Sequence, residues 1–133
     1  VSHCEAALDA VRIFASEQKF LIGIRYINRI ITAQAAGRAF SDLAEVLIQA
    51  MLERVIVEFA SRHGHVPGGR VLILGMGRLG SRELTAGSDL DLIILYDHDE
   101  GADCSDGRRP LATSQYFIRL TQRLIAAMSA AHA

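Results

Sequence analysis

Asp89 and Asp91 are the residues best suited to chemistry in this 133-residue chain. They stand at the mouth of an apolar run, Leu90 to Tyr96, and a strand's period of two points both side chains to one face. Two carboxylates roughly 4 Å apart repel by about 4 kcal/mol at an effective dielectric near 20, so a site keeping both ionised normally holds a cation between them. Hard oxygen ligands suit Mg2+ or Mn2+, and Mg2+ takes one or two protein carboxylates and fills its shell with water and phosphate oxygens. Just upstream, the run Val71 to Leu74 leads into a turn with Gly75, Gly77 and Gly80. A glycine turn opening a helix offers backbone N–H donors to phosphates. Arg78 and the Ser81 hydroxyl are placed to meet a β- or γ-phosphate. Gly87 and Ser88 precede the acids, and Ser88 could meet phosphate or cap the turn into the strand. Arg82 and Glu83 fit a helix-surface pair or a supporting role better than ligand contact.

These residues carry a resemblance. Leu79-Gly80-Ser81, a seven-residue spacer and Asp89-Leu90-Asp91-Leu92 fit the nucleotidyltransferase superfamily pattern. More narrowly, GMGRLGSREL followed by GSDLDLI resembles the glutamate-ammonia-ligase adenylyltransferase family, the glutamine synthetase adenylyltransferase/adenylyl-removing enzymes. That family carries two copies of such a domain in one long chain. Gly87-Ser88 and the later YFIRLTQRLI are more similar to the C-terminal, adenylylating copy.

The resemblance implies ATP as substrate, with its phosphates on the glycine turn and metal ions near Asp89 and Asp91. A tyrosine hydroxyl of glutamine synthetase would attack the α-phosphorus, and pyrophosphate would leave. The alternative within the family is the copy that removes AMP by phosphorolysis. Glutamine synthetase is the implied protein partner, a PII-type nitrogen signalling protein a further one through the full-length enzyme, and the cytoplasm the implied setting. Arg119 and Arg123 resemble the family's pattern in the last helix, where they would hold nucleotide, the domain's own acids or surface partners. The family draws a third metal carboxylate from a Val-Asp-x-Arg-Leu-Arg-Pro strand, and no such run exists here. A chain that begins at Val1 and closes on SAAHA is expected to be a piece of something longer, and inactive alone.

Positioning the site falls to helices and two strands. A helix is expected from Glu5 to Ile31, with Phe20, Ile24, Ile27 and Ile31 as its buried stripe. Thr32 reads as the N-cap of a second helix over 33–62, ending at Gly64. Its stripe is Phe40, Leu43, Leu47, Met51, Val55 and Phe59, with an interruption expected near Gly37 and Ser41. Strands follow over 71–74 and 90–96, then a helix over 112–129 buries Phe117, Leu120, Leu124 and Met128. The expected class is α/β, in the α+β sense: a nucleotidyltransferase-like fragment with long N-terminal helices packed beside a small mixed sheet and a C-terminal helix. Residues 1–66 form the helical scaffold of the domain, and 67–133 its incomplete core.

Other features argue for less. Arg plus Lys is 14 and Asp plus Glu 15, a net charge of −1, which gives no argument for a polyanion-binding surface and argues against nucleic acid. Thirteen of those 14 cations are Arg, suited to forked contacts with phosphate. Cys4 and Cys104 form no CxxC pair, no run approaches the roughly 20 apolar residues that cross a bilayer, and no export signal opens the chain. His63 and His65 lie in a Gly- and Pro-rich connection that reads as exposed linker, not metal site. The segment 97–110 is acidic and reads as an exposed mobile loop, since its spacing misses the EF-hand pattern.

Gly75-x-Gly77-x-x-Gly80 also matches the dinucleotide fingerprint of a Rossmann unit, with Asp97 ending the next strand. Thr85-Ala86-Gly87-Ser88 would break its crossover helix, and the Asp pair would have no purpose. Such a binder would respond to NADH without Mg2+. A silent helical interaction module, the remaining class, would bind a partner protein equally well with or without nucleotide.

Overall fold

The computed structural model describes residues 3–132, with side chains over 6–130. In chain order it contains α1 (His3–Ile27), α2 (Ala33–His63), β1 (Arg70–Met76), α3 (Gly77–Gly80), β2 (Asp91–Asp97) and α4 (Thr113–His132). Cys4 lies outside the described side chains, and Cys104 is a free, exposed thiol. No described helix is long and apolar enough to cross a membrane.

The stripes of α2 and α4 are core, as their periodicity predicts. Phe40, Leu47, Met51, Val55 and Phe59 meet Phe117, Leu120, Leu124 and Met128 in one buried cluster. Thr32 caps α2 by accepting the Ala35 N–H at 3.1 Å, and Gly64 ends it at φ 73. α2 runs unbroken through Gly37 and Ser41, so the expected interruption is absent.

α1 departs from expectation twice. It stops at Ile27 because Arg29 takes φ 59, with the Ile30 N–H donating to the Arg25 carbonyl at 2.8 Å and the Arg29 N–H to that of Tyr26 at 3.0 Å. These are the paired bonds of a Schellman C-cap. Of the stripe read as core, Phe20, Ile24 and Ile27 are on the outside, Phe20 65% and Ile27 77% exposed, while Ile31, past the end of the helix, packs half-buried against the core. The core face of α1 is Ala15 and Ile22, with Leu8 and Val11 half-buried beside them.

β1 and β2 pair antiparallel, Val71 opposite Tyr96, Ile73 opposite Ile94 and Met76 opposite Asp91. The described sheet thus has two strands and is not mixed, and the chain is an α+β fragment. Antiparallel neighbours exclude the Rossmann unit, whose strands flank their crossover in parallel. Gly75, expected in the turn, belongs to β1. Val71, Ile73, Leu92 and Ile94 pack inward on the helical core, while Leu72, Leu74, Ile93 and Leu95 face out.

The expected 66/67 division falls in the α2–β1 connection, and that connection is no loose linker. Gly64 and Val66 are buried. The acidic segment after β2 is laced to it: Asp106, Gly107 and Arg109 donate their N–H groups to the carbonyls of His65, His63 and Arg62 at 3.2, 3.1 and 3.0 Å. Asp106 also accepts the His65 N–H at 2.8 Å, and His63 Nδ1 lies 2.8 Å from the Arg109 carbonyl oxygen. The two segments satisfy each other's backbone while most of their side chains, His65, Pro67, Asp99 and Asp103 among them, stay exposed as expected; what the reading missed is the tie between them.

Candidate functional site

The glycine turn and the second acid meet. Gly77 opens α3 at φ 56, and a Cβ placed on it would lie 3.0 Å from Oδ2 of Asp91. Gly75 and Gly80 serve packing: a Cβ on Gly75 would sit 2.9 Å from Leu79 Cδ2, and one on Gly80 2.8 Å from the Gly75 carbonyl oxygen. The single turn of α3 therefore folds back on the end of β1, with Leu79 plugged into the core and Gly77 turned toward the carboxylate.

Asp91 is the first residue of β2 and Asp89 precedes it, so the strand's alternation starts only at Asp91. Asp89 lines a groove with Leu90, Leu92 and Ile94 on one side and Thr121, Ile125, Met128 and Ser129 of α4 on the other. Both acids are exposed, and neither side chain makes a hydrogen bond or ion pair with another described residue. Arg78 is exposed in the same state. The Ser81 hydroxyl donates to the Arg78 carbonyl at 3.3 Å, and Gly87 has no neighbour within 4 Å of where its Cβ would be. Ser88 does cap the turn: its Oγ accepts the Thr85 N–H at 3.0 Å and lies 2.8 Å from Thr85 Oγ1.

Hard, exposed carboxylate oxygens with no protein partner fit the donor set Mg2+ or Mn2+ uses. Among the described residues no group of three or more His, Cys, Asp or Glu could hold a metal.

Sequence reasoning left out what clamps the turn. Arg82, in left-handed backbone at φ 63, pairs with Asp42 and with Glu45, the latter at 2.7 Å, both on α2. The bond to Glu45, ahead of that to Asp42, raises the guanidinium pKa above its ordinary value. Beneath it, Gly37 lets the Arg82 carbonyl come within 3.2 Å of where a Cβ would be, and Ser41, wholly buried, accepts the Leu84 N–H at 3.4 Å while donating to the Gly37 carbonyl at 2.8 Å. So the segment 82–84 is seated on α2, which fixes one end of the turn that runs to Asp89. Arg123 pairs with Glu58 of α2 at 2.9 Å, as does Arg62 at 2.8 Å, so Arg123 has a surface partner on the helix bundle.

Comparison with known proteins is consistent along the whole chain. The family model described as glutamate-ammonia ligase adenylyltransferase matches residues 1–133. Proteins named bifunctional glutamine synthetase adenylyltransferase/adenylyl-removing enzyme are 64% identical over 95% of this chain in Mesorhizobium japonicum, and 59% over 96% in Rhizobium meliloti. One from Bradyrhizobium is 50% identical over 94%. The chain spans about 13% of the length of each of these curated relatives.

Proposed function

The chain belongs to the glutamate-ammonia ligase adenylyltransferase family, and from that premise we propose that it carries part of a site for metal-dependent transfer of AMP from ATP to a tyrosine of glutamine synthetase. The observation that carries this reading is the approach of Gly77 to Asp91: a glycine turn of the kind that cradles phosphate closes on a carboxylate without a protein partner. Asp89 and Asp91 would hold Mg2+ or Mn2+. Bound there, the ion would supply charge neutralisation at the triphosphate and a lower pKa for the attacking hydroxyl. Gly77 lets the backbone of the turn come close to Asp91, and Arg78, extended into solvent without a partner, is free to fork onto phosphate oxygens. The α2 seat for Arg82 and Leu84 holds this turn in register with the acids. In the reaction the tyrosine oxygen bonds to the α-phosphorus, the bond from that phosphorus to the β-phosphate oxygen breaks, and pyrophosphate leaves.

Gly87-Ser88 before the acids favours the adenylylating copy over the phosphorolytic one. A cytoplasmic setting and a PII-type partner reached through the full-length enzyme belong to the same proposal. The test follows label from α-labelled ATP into glutamine synthetase, with the full-length protein and with these 133 residues alone. Transfer by the full-length protein, lost in its Asp91→Asn form, is expected, with the 133-residue chain slower by orders of magnitude for want of a third carboxylate. Full activity of Asp91→Asn overturns the metal assignment. Release of labelled ADP from glutamine synthetase already carrying labelled AMP, on addition of phosphate and with no transfer from ATP, assigns the site to the removing activity.

A further inference from the structure

α1 is apolar on two opposite faces. Ala15 and Ile22 enter the core, while Ile13, Phe20, Ile24 and Ile27 form a second stripe on the far side, each exposed. Leu21 and Phe14, 42% and 46% exposed, widen it on one flank. α1 also carries exposed polar residues, Asp9 and Arg12 as an ion pair at 3.2 Å together with Ser16 and Glu17, so the outer stripe is an apolar band between polar flanks, the form of a helix face that meets a partner. Its spacing, i, i+7, i+11 and i+14, is that of a seam presented to another helix, where apolar residues alternate in steps of three and four. Gly23, beside the stripe with nothing within 4 Å of where its Cβ would be, leaves room for close approach.

Size decides between occupants. From Ile13 to Ile27 the stripe runs about 21 Å, and at a helix width of about 10 Å its footprint is about 200 Å². Stable association of separate chains takes about 800 Å² per partner. A second copy or another protein gains too little here, whereas a segment of the same polypeptide arrives at an effective concentration in the millimolar range. The chain spans only about 13% of its curated relatives, so a long remainder is at hand.

We propose that the outer face of α1, Ile13, Phe20, Ile24 and Ile27, is the seat of another α-helix of the same polypeptide, contributed from outside these 133 residues. The inner face of α1 adds a consequence. Ala15 and Lys19 line a small cleft with Thr85, Ala86, Ser88 and Leu90, so the docked helix presses on α1 directly across from the turn that leads into the acids.

The test places a benzophenone amino acid at Ile13, Phe20 or Ile27 of the full-length protein, as single substitutions, and irradiates an equal mixture of isotopically heavy and light copies. Adducts within one isotopic species, outside the 133 residues and displaced by about seven residues of partner for each probe step, are expected, because seven helical residues rise about 10.5 Å. Adducts stepping by about three residues mean an extended partner, and mixed heavy–light adducts a second copy. Either result, adducts to another protein, or no adduct from probes in protein whose circular dichroism is unchanged, overturns the proposal.

Discussion

Gly77 and Asp91 occupy each other's space: the glycine's missing Cβ is the gap in which Asp91 Oδ2 sits, 3.0 Å from that position, and the glycine's φ of 56 belongs to left-handed backbone. Both facts oppose a side chain at 77, and they are separable. Left-handed backbone costs an L-residue about 1–2 kcal/mol wherever it occurs, while the contact with the carboxylate exists only when Asp91 does. Gly77→Ala is therefore expected to destabilise by more than about 1 kcal/mol, and by less when combined with Asp91→Ala. Urea unfolding of the four corners of this cycle measures the difference. Equal losses in both backgrounds mean that the carboxylate does not press on the turn.

Asp89→Asn and Asp91→Asn should each abolish Mg2+-dependent ATP binding in calorimetric titration of the full-length protein. Both acids are exposed and make no side-chain bond within the fold, so stability without metal should move by no more than about 0.5 kcal/mol. A large loss of stability would mean that the acids hold structure.

The seat on α2 is held by two kinds of contact, and magnitude ranks them. The Arg82 pairs with Asp42 and Glu45 are solvent-exposed, so Asp42→Asn or Glu45→Gln should each cost under about 1 kcal/mol. Ser41 is buried, and Ser41→Ala strands the N–H of buried Leu84 at about 1–3 kcal/mol. Amide exchange at Leu84 should accelerate in Ser41→Ala and stay slow in the other two. The opposite order would put the clasp at the surface.

What the sequence made legible is what local period and local chemistry decide. The α2 and α4 stripes, the Thr32 cap and the glycine turn between two strands follow from residues within a turn or two of one another. The misses are non-local. Gly37 and Ser41, four apart on α2, read as helix breakers, yet they are small because 82–84 lies on them. Arg29 ends α1 in a conformation usually marked by glycine, so the stop carried no visible signal. In α1 the period was right and the face wrong, because the outer stripe is as regular as the core one, and periodicity alone does not say which of two apolar faces meets α2. The segments 62–66 and 106–109 lace together largely through backbone atoms, with Asp106 and His63 side chains bonding to backbone as well, a pattern the sequence does not record.

That lacing has a titratable fastener. The Tyr116 hydroxyl donates to the Gly64 carbonyl at 2.7 Å, under a ring packed edge-on against Phe59 at 4.8 Å. Burial, followed by the negative charge of Asp106, raises the phenol pKa above its ordinary value. A raised folded pKa favours the protonated form, so this contribution is whole below the unfolded tyrosine value of about 10 and is lost as pH rises from there through the folded pKa. Tyr116→Phe keeps the ring packing and removes the donor, which should cost about 1–3 kcal/mol at neutral pH because the Gly64 carbonyl is buried with it. The variant should also lose stability less steeply than the parent between pH about 9 and 11. Urea unfolding at both ends of that range reads the two effects together. If the alkaline decline is the same in both proteins, Tyr116 does not titrate against the fold, and the joint is held by the backbone bonds and the His63 and Asp106 side chains without it.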